Sequence, residues 1–317
     1  MNTPLIGVAI VSYNTRDLLR DCLTSLRDVE LSVRVVVVDN ASHDGSAAMV
    51  AREFPEVDLL SRSDNLGFAG GTNLALRRLG LGAQPVGGPA ADLVLLLNPD
   101  TVVRPGAITA LAAFLAEHPR VGMVSPRLLN IDGSLQRAAF RFPTLAMTVI
   151  DLFPPGEVLP GRLYDSWWHG RYPQEHGDMP FPIDHPLGAC ILVRRAVIEQ
   201  IGLLDEGYFM YAEEVDWCLR ARRAGWAIWQ VPQARVTHVG GAATRQMRPR
   251  MQIALYASRL RLFGIRYPRW VSAAQRAIIR AGALRGVLAA SCGFALGRLS
   301  ASELRDRMLA YTGIWRL

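Results

Sequence analysis

Short apolar runs alternate with amphipathic segments along the first 245 residues of this 317-residue chain. Residues 93–97 are five consecutive apolar residues, a pattern typical of a strand buried on both faces. This run stops at Asn98-Pro99-Asp100, because proline cannot donate a hydrogen bond to a sheet. Further strand patterns cover residues 5–12, 33–38, 57–60, 121–125, 190–193 and 226–231, and helical patterns cover 72–79, 106–117 and 212–224. Strands that alternate with helices predict an α/β fold built on a mostly parallel sheet.

Local signals predict how some of these elements begin. Asn14 is a predicted helix N-cap, with Asp17 three residues later in an arrangement that resembles a capping box. The glycines within residues 64–71 predict a turn that precedes the helix at 72–79. Residues 153–186 are rich in proline, glycine and aromatic residues, which predicts a long irregular segment of the kind that forms lids or binding loops.

Polar residues collect where the predicted strands end. Ser12-Tyr13-Asn14 ends the first strand, Asp39-Asn40 follows the second, and Asn98-Pro99-Asp100 follows residues 93–97. In open α/β sheets this edge is where ligands bind. A carboxylate held there, such as that of Asp100, suits a divalent cation, which in turn suits a phosphate. Because Asn and Asp also favour turns, a purely structural interpretation of each position stays open.

An acidic segment opens the predicted helix at residues 212–224. Glu214 lies nearer to the apolar face of this helix than Glu213, so it is placed to project into a partly dry cleft. Burial there raises the pKa of a carboxyl group, as a general base requires. The alternative is that the acids stabilise the first helical turn and that Asp216 pairs with Arg220 one turn later.

Glycines and one histidine are further candidates for a binding site. The cluster Gly67, Gly70 and Gly71 allows a backbone to approach a phosphate, although it suits a plain turn equally well. It does not match G-x-G-x-x-G, which excludes a nicotinamide-dependent enzyme. His238, next to Gly240-Gly241, is a candidate metal ligand, with an ordinary hydrogen-bonded histidine as the alternative.

Composition and charge set the expected surroundings of the protein. Hydrophobic residues make up 50% of the chain, and the four cysteines have neither metal-ligand spacing nor a disulfide framework, which is typical of a reducing cytoplasm. No signal peptide and no membrane span are predicted. Residues 245–317 hold 14 arginines and two acidic residues. The sequence therefore predicts one domain over residues 1–245 and a basic helical segment over 246–317 that faces a polyanion, either a membrane surface or a nucleic acid.

Seven motifs, in order along residues 5–245, together resemble family 2 glycosyltransferases with the GT-A fold, and most of all their rhamnosyltransferase-like branch. They are VSYNT from Val11, VVDNAS from Val37, NLGFAGGTN from Asn65, LNPD from Leu97, GAC from Gly188, LDEGYFMY from Leu204 and HVGG from His238. The resemblance implies an α/β GT-A domain with a C-terminal helical extension. It also implies an enzyme that moves a sugar from a nucleotide diphosphate donor to an acceptor hydroxyl with inversion.

The resemblance also implies how the donor is bound. Asp39 is expected to hydrogen-bond a pyrimidine base, and the residues expected to line the nucleotide site are Ser12, Tyr13, Asn14, Asn65, Gly67, Asn73 and Asn98. Asn98-Pro99-Asp100 stands where the family places its metal-binding Asp-x-Asp motif, so Asp100 is the sole acid of this motif. Mg²⁺ or Mn²⁺ is the implied cofactor, with His238 as a second ligand.

The family's Glu-Asp pair falls on Glu213-Glu214, where Glu214 replaces the usual Asp as the implied general base. Asp216 and Arg220 match further family positions, as acceptor contacts or as support. The implied donor is dTDP-L-rhamnose, with UDP-hexoses or UDP-galactofuranose as alternatives. The implied acceptor is a glycan or a polyprenyl-diphosphate-linked glycan of the cell envelope.

The arginine-rich segment over residues 246–317 is expected to dock on anionic lipid at the cytoplasmic face of the membrane. Packing on the catalytic domain or a homodimer contact is the alternative. A sugar-phosphate nucleotidyltransferase would carry a basic, glycine-rich signature where Ser12-Tyr13-Asn14 stands, which argues against that enzyme. A nucleic-acid-binding protein would need a recognised module or base-stacking aromatics, and none is evident.

Overall fold

The computed structural model describes residues 4–82, 90–153, 166–240 and 248–317, and the chain divides into two compact units. Unit 1 consists of Met1–Phe142, Tyr172–Gly207 and Glu213–Ala243, and unit 2 consists of Pro143–Arg171, Tyr208–Ala212 and Thr244–Leu317. The domain boundary predicted between residues 245 and 246 lies outside the described residues and stays a prediction. Parts of the predicted irregular segment and of the HVGG motif, residues 154–165 and Gly241, also lie outside them.

Unit 1 is built on a mixed sheet. Its strands are β1 Ile6–Ser12, β2 Val33–Asp39, β3 Asp58–Ser61, β4 Leu93–Leu97, β5 Thr101–Val103, β6 Val121–Leu129, β7 Leu135–Gln136, β9 Phe181–Pro182, β11 Cys190–Arg194 and β12 Ala227–His238, while β8 Ala139–Phe140 pairs separately with β10 His185–Pro186. The main order is β3-β2-β1-β4-β11-β6-β12-β5. The first four strands run parallel, whereas β11 and β5 run antiparallel to their neighbours. The predicted α/β fold with a mixed sheet is therefore confirmed.

Helices cover both faces of this sheet. In unit 1 they are α1 Arg16–Arg27, α2 Ser46–Glu53, α3 Gly67–Arg78, α4 Ala107–Glu117, α6 Arg195–Ile201 and α7 Glu213–Arg223. Leu93, Leu95 and Leu97 of β4 face one apolar core, and Val94 and Leu96 face the other. Because both faces are covered, β4 is apolar at every position, as the sequence predicted.

Two predictions about helix starts are wrong. Helix α1 begins after Thr15, and the side chain of Asn14 instead accepts the backbone N–H of His43 at 2.7 Å. Asp44, from the segment after β2, accepts the N–H of Arg16 at 2.8 Å, so the first turn is capped from a distant part of the chain. Helix α3 begins at Gly67, so the predicted glycine turn is largely helical.

Unit 2 contains the helices α5 Leu145–Leu152, α8 Arg248–Arg266, α9 Arg269–Ala295 and α10 Ala301–Trp315, which confirms the predicted C-terminal helices. Their shared core includes Leu260, Ile279, Ala283 and Ile314. Within the described residues, α9 is long and apolar enough to cross a membrane by length and composition, whereas the sequence predicted no span. The arginines of α9 lie at positions 269, 276, 280 and 285, and they do not lower its mean hydropathy below that of a candidate span.

Candidate active site

Polar residues at the ends of three parallel strands meet at one edge of the sheet. Ser12 and Asp39 are register partners in β1 and β2, and β4 ends at the level of β1 two residues before Ser12. The N–H of Asn98 donates to the carbonyl of Ala189 at 2.9 Å, so the start of β11 lies at the same edge. Tyr13, partly buried, directly follows Ser12. The sheet thus brings together residues that the sequence predicted for one site.

Asp39 offers a buried acceptor at this edge. Its Oδ2 accepts the N–H of Ser42 at 3.2 Å, while its Oδ1 has no hydrogen-bond partner among the described residues. Asn14 has a left-handed backbone with φ of 51°, and its N–H donates to the hydroxyl of Ser42 at 2.9 Å. The hydroxyl of Ser12 bonds that of Thr15 at 3.0 Å and is buried. Ser12 therefore supports this loop, and Asp39 keeps an acceptor for a ligand.

Asn65 and Asn73 are tied to backbone groups of unit 1. The Oδ1 of Asn65 accepts the N–H of Gly67 at 2.9 Å where α3 begins. Asn73 is buried, accepts the N–H of Leu204 at 3.0 Å and donates both to the carbonyl of Leu204 and to Glu206, each at 2.9 Å. This geometry makes Asn73 a support for the segment around Leu204, and the expected nucleotide contact stays a prediction.

Asp100 and His238 form a buried pair at the same edge. Thr101 of β5 is the register partner of His238, which is the last residue of β12. The N–H of Val239 donates to the backbone carbonyl of Asp100 at 2.9 Å. These backbone contacts place the Nε2 of His238 3.3 Å from the Oδ1 of Asp100.

The hydrogen bonds of Gln136 show which nitrogen of the His238 ring carries the proton. The Nε2 of Gln136 donates to the carbonyl of His238 at 3.3 Å and to the Oδ1 of Asn130 at 3.1 Å, which identifies the amide nitrogen. The other amide atom, Oε1, therefore accepts from the Nδ1 of His238 at 2.7 Å. In the neutral ring the lone pair is then on Nε2, which is buried without a hydrogen-bond partner in the described part of the chain and faces Asp100. Two acceptors facing each other suit a divalent cation.

Glu214 lies in the first turn of α7, against Gly188 at the start of β11. A Cβ placed on Gly188 would lie 3.4 Å from the Cγ of Glu214 and 3.6 Å from its Oε1. Tyr211 and Ala212, which precede α7 in the chain, both have left-handed backbones, with φ of 70° and 64°. Non-glycine residues rarely adopt this conformation, and such strain concentrates at functional sites.

The two glutamates have unusual proton affinities. Burial raises the pKa of Glu214 to about 7. Burial, together with the charge of Glu214, raises the pKa of Glu213 well above its ordinary value. Each carboxylate has a buried Oε2 that lacks a hydrogen-bond partner among the residues described. Glu214 is thus able to hold or release a proton near neutral pH.

Asp216 has a different environment from these glutamates. It is fully buried, and its Oδ2 accepts from the Nε of Arg220 at 2.9 Å. Arg220 also donates to the carbonyls of Ile201 and, at 2.8 Å, Leu203. The structure therefore gives Asp216 a supporting position that fixes Arg220 and the segment after α6.

Two functional positions have no assigned role in the sequence analysis. Gly188 leaves the space in which the Glu214 side chain lies, and Gln136 orients His238. The dipeptide Asp132-Gly133 is a hairpin signal that would have placed β7 beside β6. It would not have identified the contact between Gln136 and His238, which is specified by the pairing of β6 with β12.

Comparison with known proteins places the chain among sugar transferases. The profile described as "Glycosyltransferase like family 2" matches residues 4–259. The chain is 34% identical over 246 residues to the N-acetylglucosaminyl-diphospho-decaprenol L-rhamnosyltransferase of Mycobacterium tuberculosis, covering 74% of this chain and 76% of that one. It is 23% identical to the rhamnosyltransferase WbbL of Escherichia coli, covering 74% of this chain and 83% of that one.

Solved structures share the fold. The mannosyltransferase PcManGT from Pyrobaculum calidifontis, in complex with GDP-Man and Mn²⁺, superposes with a TM-score of 0.54 at 16% identity, covering 100% of this chain and 87% of that one. GalNAc-T7 with UDP, GalNAc and Mn²⁺ gives 0.55 at 15% identity, covering 74% and 43%. The fold is thus of the GT-A type, with a C-terminal helical extension. The chain belongs to glycosyltransferase family 2, and its activity is that of a glycosyltransferase.

Proposed function

We propose that the protein is an inverting, metal-dependent transferase that moves L-rhamnose from dTDP-L-rhamnose to a hydroxyl of a polyprenyl-diphosphate-linked glycan, in cell-envelope polysaccharide synthesis. The names of the mycobacterial and Escherichia coli relatives support the sugar, and the mycobacterial name supports a lipid-linked acceptor. One observation carries the chemistry. Asp39 and His238 end strands at one edge of the sheet, Glu214 lies beside Gly188 in the first turn of α7, and each has a buried acceptor atom without a partner in the described residues.

The nucleotide end of the donor fits the Asp39 side of this edge. The free Oδ1 of Asp39 is suited to accept the N3–H of a thymine or uracil base. Tyr13 and Asn14 follow β1 at the same place and are expected to line the nucleoside site. A pyrimidine nucleotide is therefore the donor class that this part of the site favours.

The diphosphate end fits the pair of Asp100 and His238. The carboxylate Oδ1 of Asp100 and the ring Nε2 of His238 would hold Mg²⁺ or Mn²⁺, beside Asn98. Among the described residues, no three His, Cys, Asp or Glu side chains are arranged so that they could hold a metal ion together, so the other ligands would be donor oxygens and water. A cation bound there supplies positive charge that offsets the negative charge developing on the leaving diphosphate.

Glu214 is placed to activate the acceptor. Its carboxylate takes the proton of the acceptor hydroxyl as that oxygen attacks C1 of the sugar and the bond from C1 to the diphosphate oxygen breaks. One displacement inverts the anomeric centre. A pKa of about 7 lets the same group accept the proton at neutral pH and release it to solvent afterwards. Glu213 and Asp216 support this helix turn.

A donor panel tests the proposal. The full-length protein is incubated with Mn²⁺, a GlcNAc-diphosphate-lipid acceptor and one of dTDP-L-rhamnose, UDP-glucose, UDP-galactose or UDP-galactofuranose, and nucleoside diphosphate release is measured. Release is expected with dTDP-L-rhamnose and to depend on the acceptor. Turnover of a UDP-sugar alone would contradict the proposed donor.

We also propose that unit 2 docks on anionic lipid at the cytoplasmic face of the membrane. The exposed positions of α9 form an apolar stripe at three- and four-residue spacing: Trp270, Ala273, Ala277, Ala281, Leu284, Leu288 and Cys292. The exposed arginines Arg269, Arg276 and Arg285 flank this stripe. An apolar stripe with cationic flanks is typical of a helix that lies in the lipid interface.

Replacing both Leu284 and Leu288 by glutamate is expected to weaken binding to anionic vesicles by at least about 100-fold, because burying the two leucines contributes about 3–6 kcal/mol together. Vesicle co-sedimentation of the full-length protein measures the change, with exposed Met179→Glu in unit 1 as a control that keeps binding. Unchanged binding would contradict the proposal, as would a dimer that the double variant dissociates. Resistance of the wild type to carbonate extraction would instead show that α9 spans the membrane.

A further inference from the structure

We propose that Gln136 is a positioning residue, which holds His238 in the tautomer whose Nε2 can bind a divalent cation. The inference rests on the proposed function, because it takes Asp100 and His238 as the protein ligands of that cation. It assigns a role to a side chain that touches neither substrate nor metal.

The hairpin between β6 and β7 fixes the Gln136 amide. Gln136 is the register partner of Leu128, and the N–H of Asn130 donates to the carbonyl of Ser134 at 2.8 Å across the turn. The Nδ2 of Asn130 donates to the hydroxyl of Ser134 at 2.9 Å. The Oδ1 of Asn130 is thus left to accept from Gln136, as the carbonyl of His238 also does. Both partners of the Gln136 nitrogen are acceptors. A 180° rotation of the amide would therefore turn its oxygen toward two other oxygens, which is unfavourable.

This fixed amide decides between two states of the pair. With the Gln136 Oε1 as acceptor, the His238 proton is on Nδ1, and both Nε2 and the Asp100 Oδ1 present lone pairs to a cation. Without that acceptor, the neutral ring can place its proton on Nε2 and donate it to Asp100, 3.3 Å away. That internal hydrogen bond would occupy both ligands at once. Gln136 therefore favours the state in which His238 Nε2 and Asp100 Oδ1 are both available to a cation over the state in which they are hydrogen-bonded to each other.

The test is Mn²⁺ binding without donor, measured by calorimetry on the full-length protein at pH 8. Gln136→Met keeps the length of the side chain and removes the acceptor, and it is expected to raise the Kd by about 10- to 100-fold. Gln136→Glu keeps an acceptor for Nδ1–H but turns its second oxygen toward the Asn130 Oδ1 and the His238 carbonyl, so it is expected to lower Tm while its Kd stays closer to the wild type than that of Gln136→Met. Gln200→Met is the matched control, because Gln200 accepts the Nε1–H of Trp226 at the same distance, 2.7 Å, and its loss is expected to leave the Kd unchanged.

A second readout separates tautomer control from a structural role. In ¹⁵N NMR of histidine-labelled protein, the His238 Nε2 signal is expected to change from that of a lone-pair nitrogen to that of an N–H in Gln136→Met. A Kd within twofold of the wild type would overturn the inference. So would equal weakening in Gln136→Met and Gln136→Glu with a matching fall in Tm, since that pattern indicates fold support.

His238→Ala distinguishes failure of this inference from failure of the proposed function. If His238→Ala weakens Mn²⁺ binding and Gln136→Met does not, only the role of Gln136 is wrong. If His238→Ala binds Mn²⁺ as the wild type does, the proposed metal site is wrong, and the role of Gln136 falls with it.

Discussion

Replacing Glu214 by glutamine is expected to lower kcat by about 100- to 10,000-fold, the usual contribution of a positioned general base. Glutamine keeps the shape that fits beside Gly188 but cannot accept the proton of the acceptor hydroxyl. The Kd for the donor is expected to change little, because Glu214 acts on the acceptor side. Single-turnover kinetics with radiolabelled donor, together with dTDP displacement, measure the two quantities separately.

The pH dependence provides an independent check on Glu214. The base must be ionised, and burial raises its pKa to about 7, so kcat/KM of the wild type is expected to fall as pH drops below about 7. Folding stability is expected to change with pH in the opposite direction to kcat/KM. A carboxyl whose pKa is higher in the folded state than its ordinary value of 4.5 lowers stability as pH rises, and the loss is complete above pH 7. Glu214→Gln is therefore expected to be at least as stable as the wild type at pH 8.

A matched control uses an exposed glutamate. Glu199 of α6 pairs with Arg195 one turn earlier at the surface, and Glu199→Gln is expected to keep kcat within twofold. A folded Glu214→Gln variant that turns over at the wild-type rate would exclude Glu214 as the base. An unchanged acidic limb of the pH profile in this variant would exclude it independently.

Replacing Asp100 by asparagine is expected to remove metal-supported turnover, with a loss of roughly 100- to 1,000-fold in kcat/KM, because an anionic ligand is lost from a site that neutralises a diphosphate. Asparagine has nearly the size of aspartate. The hydrogen bond from the Val239 N–H is to the backbone carbonyl of residue 100, so the substitution leaves this bond in place. Turnover measured with and without Mn²⁺ checks this expectation. The variant is expected to respond only weakly to added Mn²⁺.

Two controls accompany Asp100→Asn. The wild type in excess chelator is expected to fall to the activity of the variant and to recover with Mn²⁺ or Mg²⁺. Asp21→Asn, at an exposed position of α1, is expected to leave both activity and metal response unchanged. If the wild type kept its full rate in chelator, the proposed cofactor would be wrong.

The sequence predicted the central part of the fold because β4 faces two cores. Every residue of β4 is apolar, without the alternation of a half-exposed strand, and this pattern is typical of a strand covered on both faces. The two- and three-residue strands β5, β7, β8, β9 and β10 were not predicted, since such short segments show no periodicity. The start of α1 was misplaced because His43 and Ser42 take both the side chain and the N–H of Asn14, a contact set by tertiary structure.

The candidate site was predictable where it follows strand ends. Asp39 and Asp100 were found because a polar residue after a buried strand stands at the ligand-binding edge. Gln136 lies 102 residues from His238 in the chain, and no local pattern joins them. Asn73 was assigned to the nucleotide by resemblance, although its amide groups bind a segment 131 residues further on. The sequence therefore located the strand-end residues of the proposed site better than the residues that hold them in place.

In the proposed mechanism, Asp100 and His238 hold the cation and the diphosphate, and Glu214 is the base. A crystal structure with Mn²⁺ and dTDP tests it most directly, because the anomalous signal of manganese locates the cation. The expected result is one manganese peak within about 2.0–2.6 Å of both the Asp100 Oδ1 and the His238 Nε2, in contact with the diphosphate. A manganese peak and diphosphate bound away from these two residues would contradict the proposed metal site.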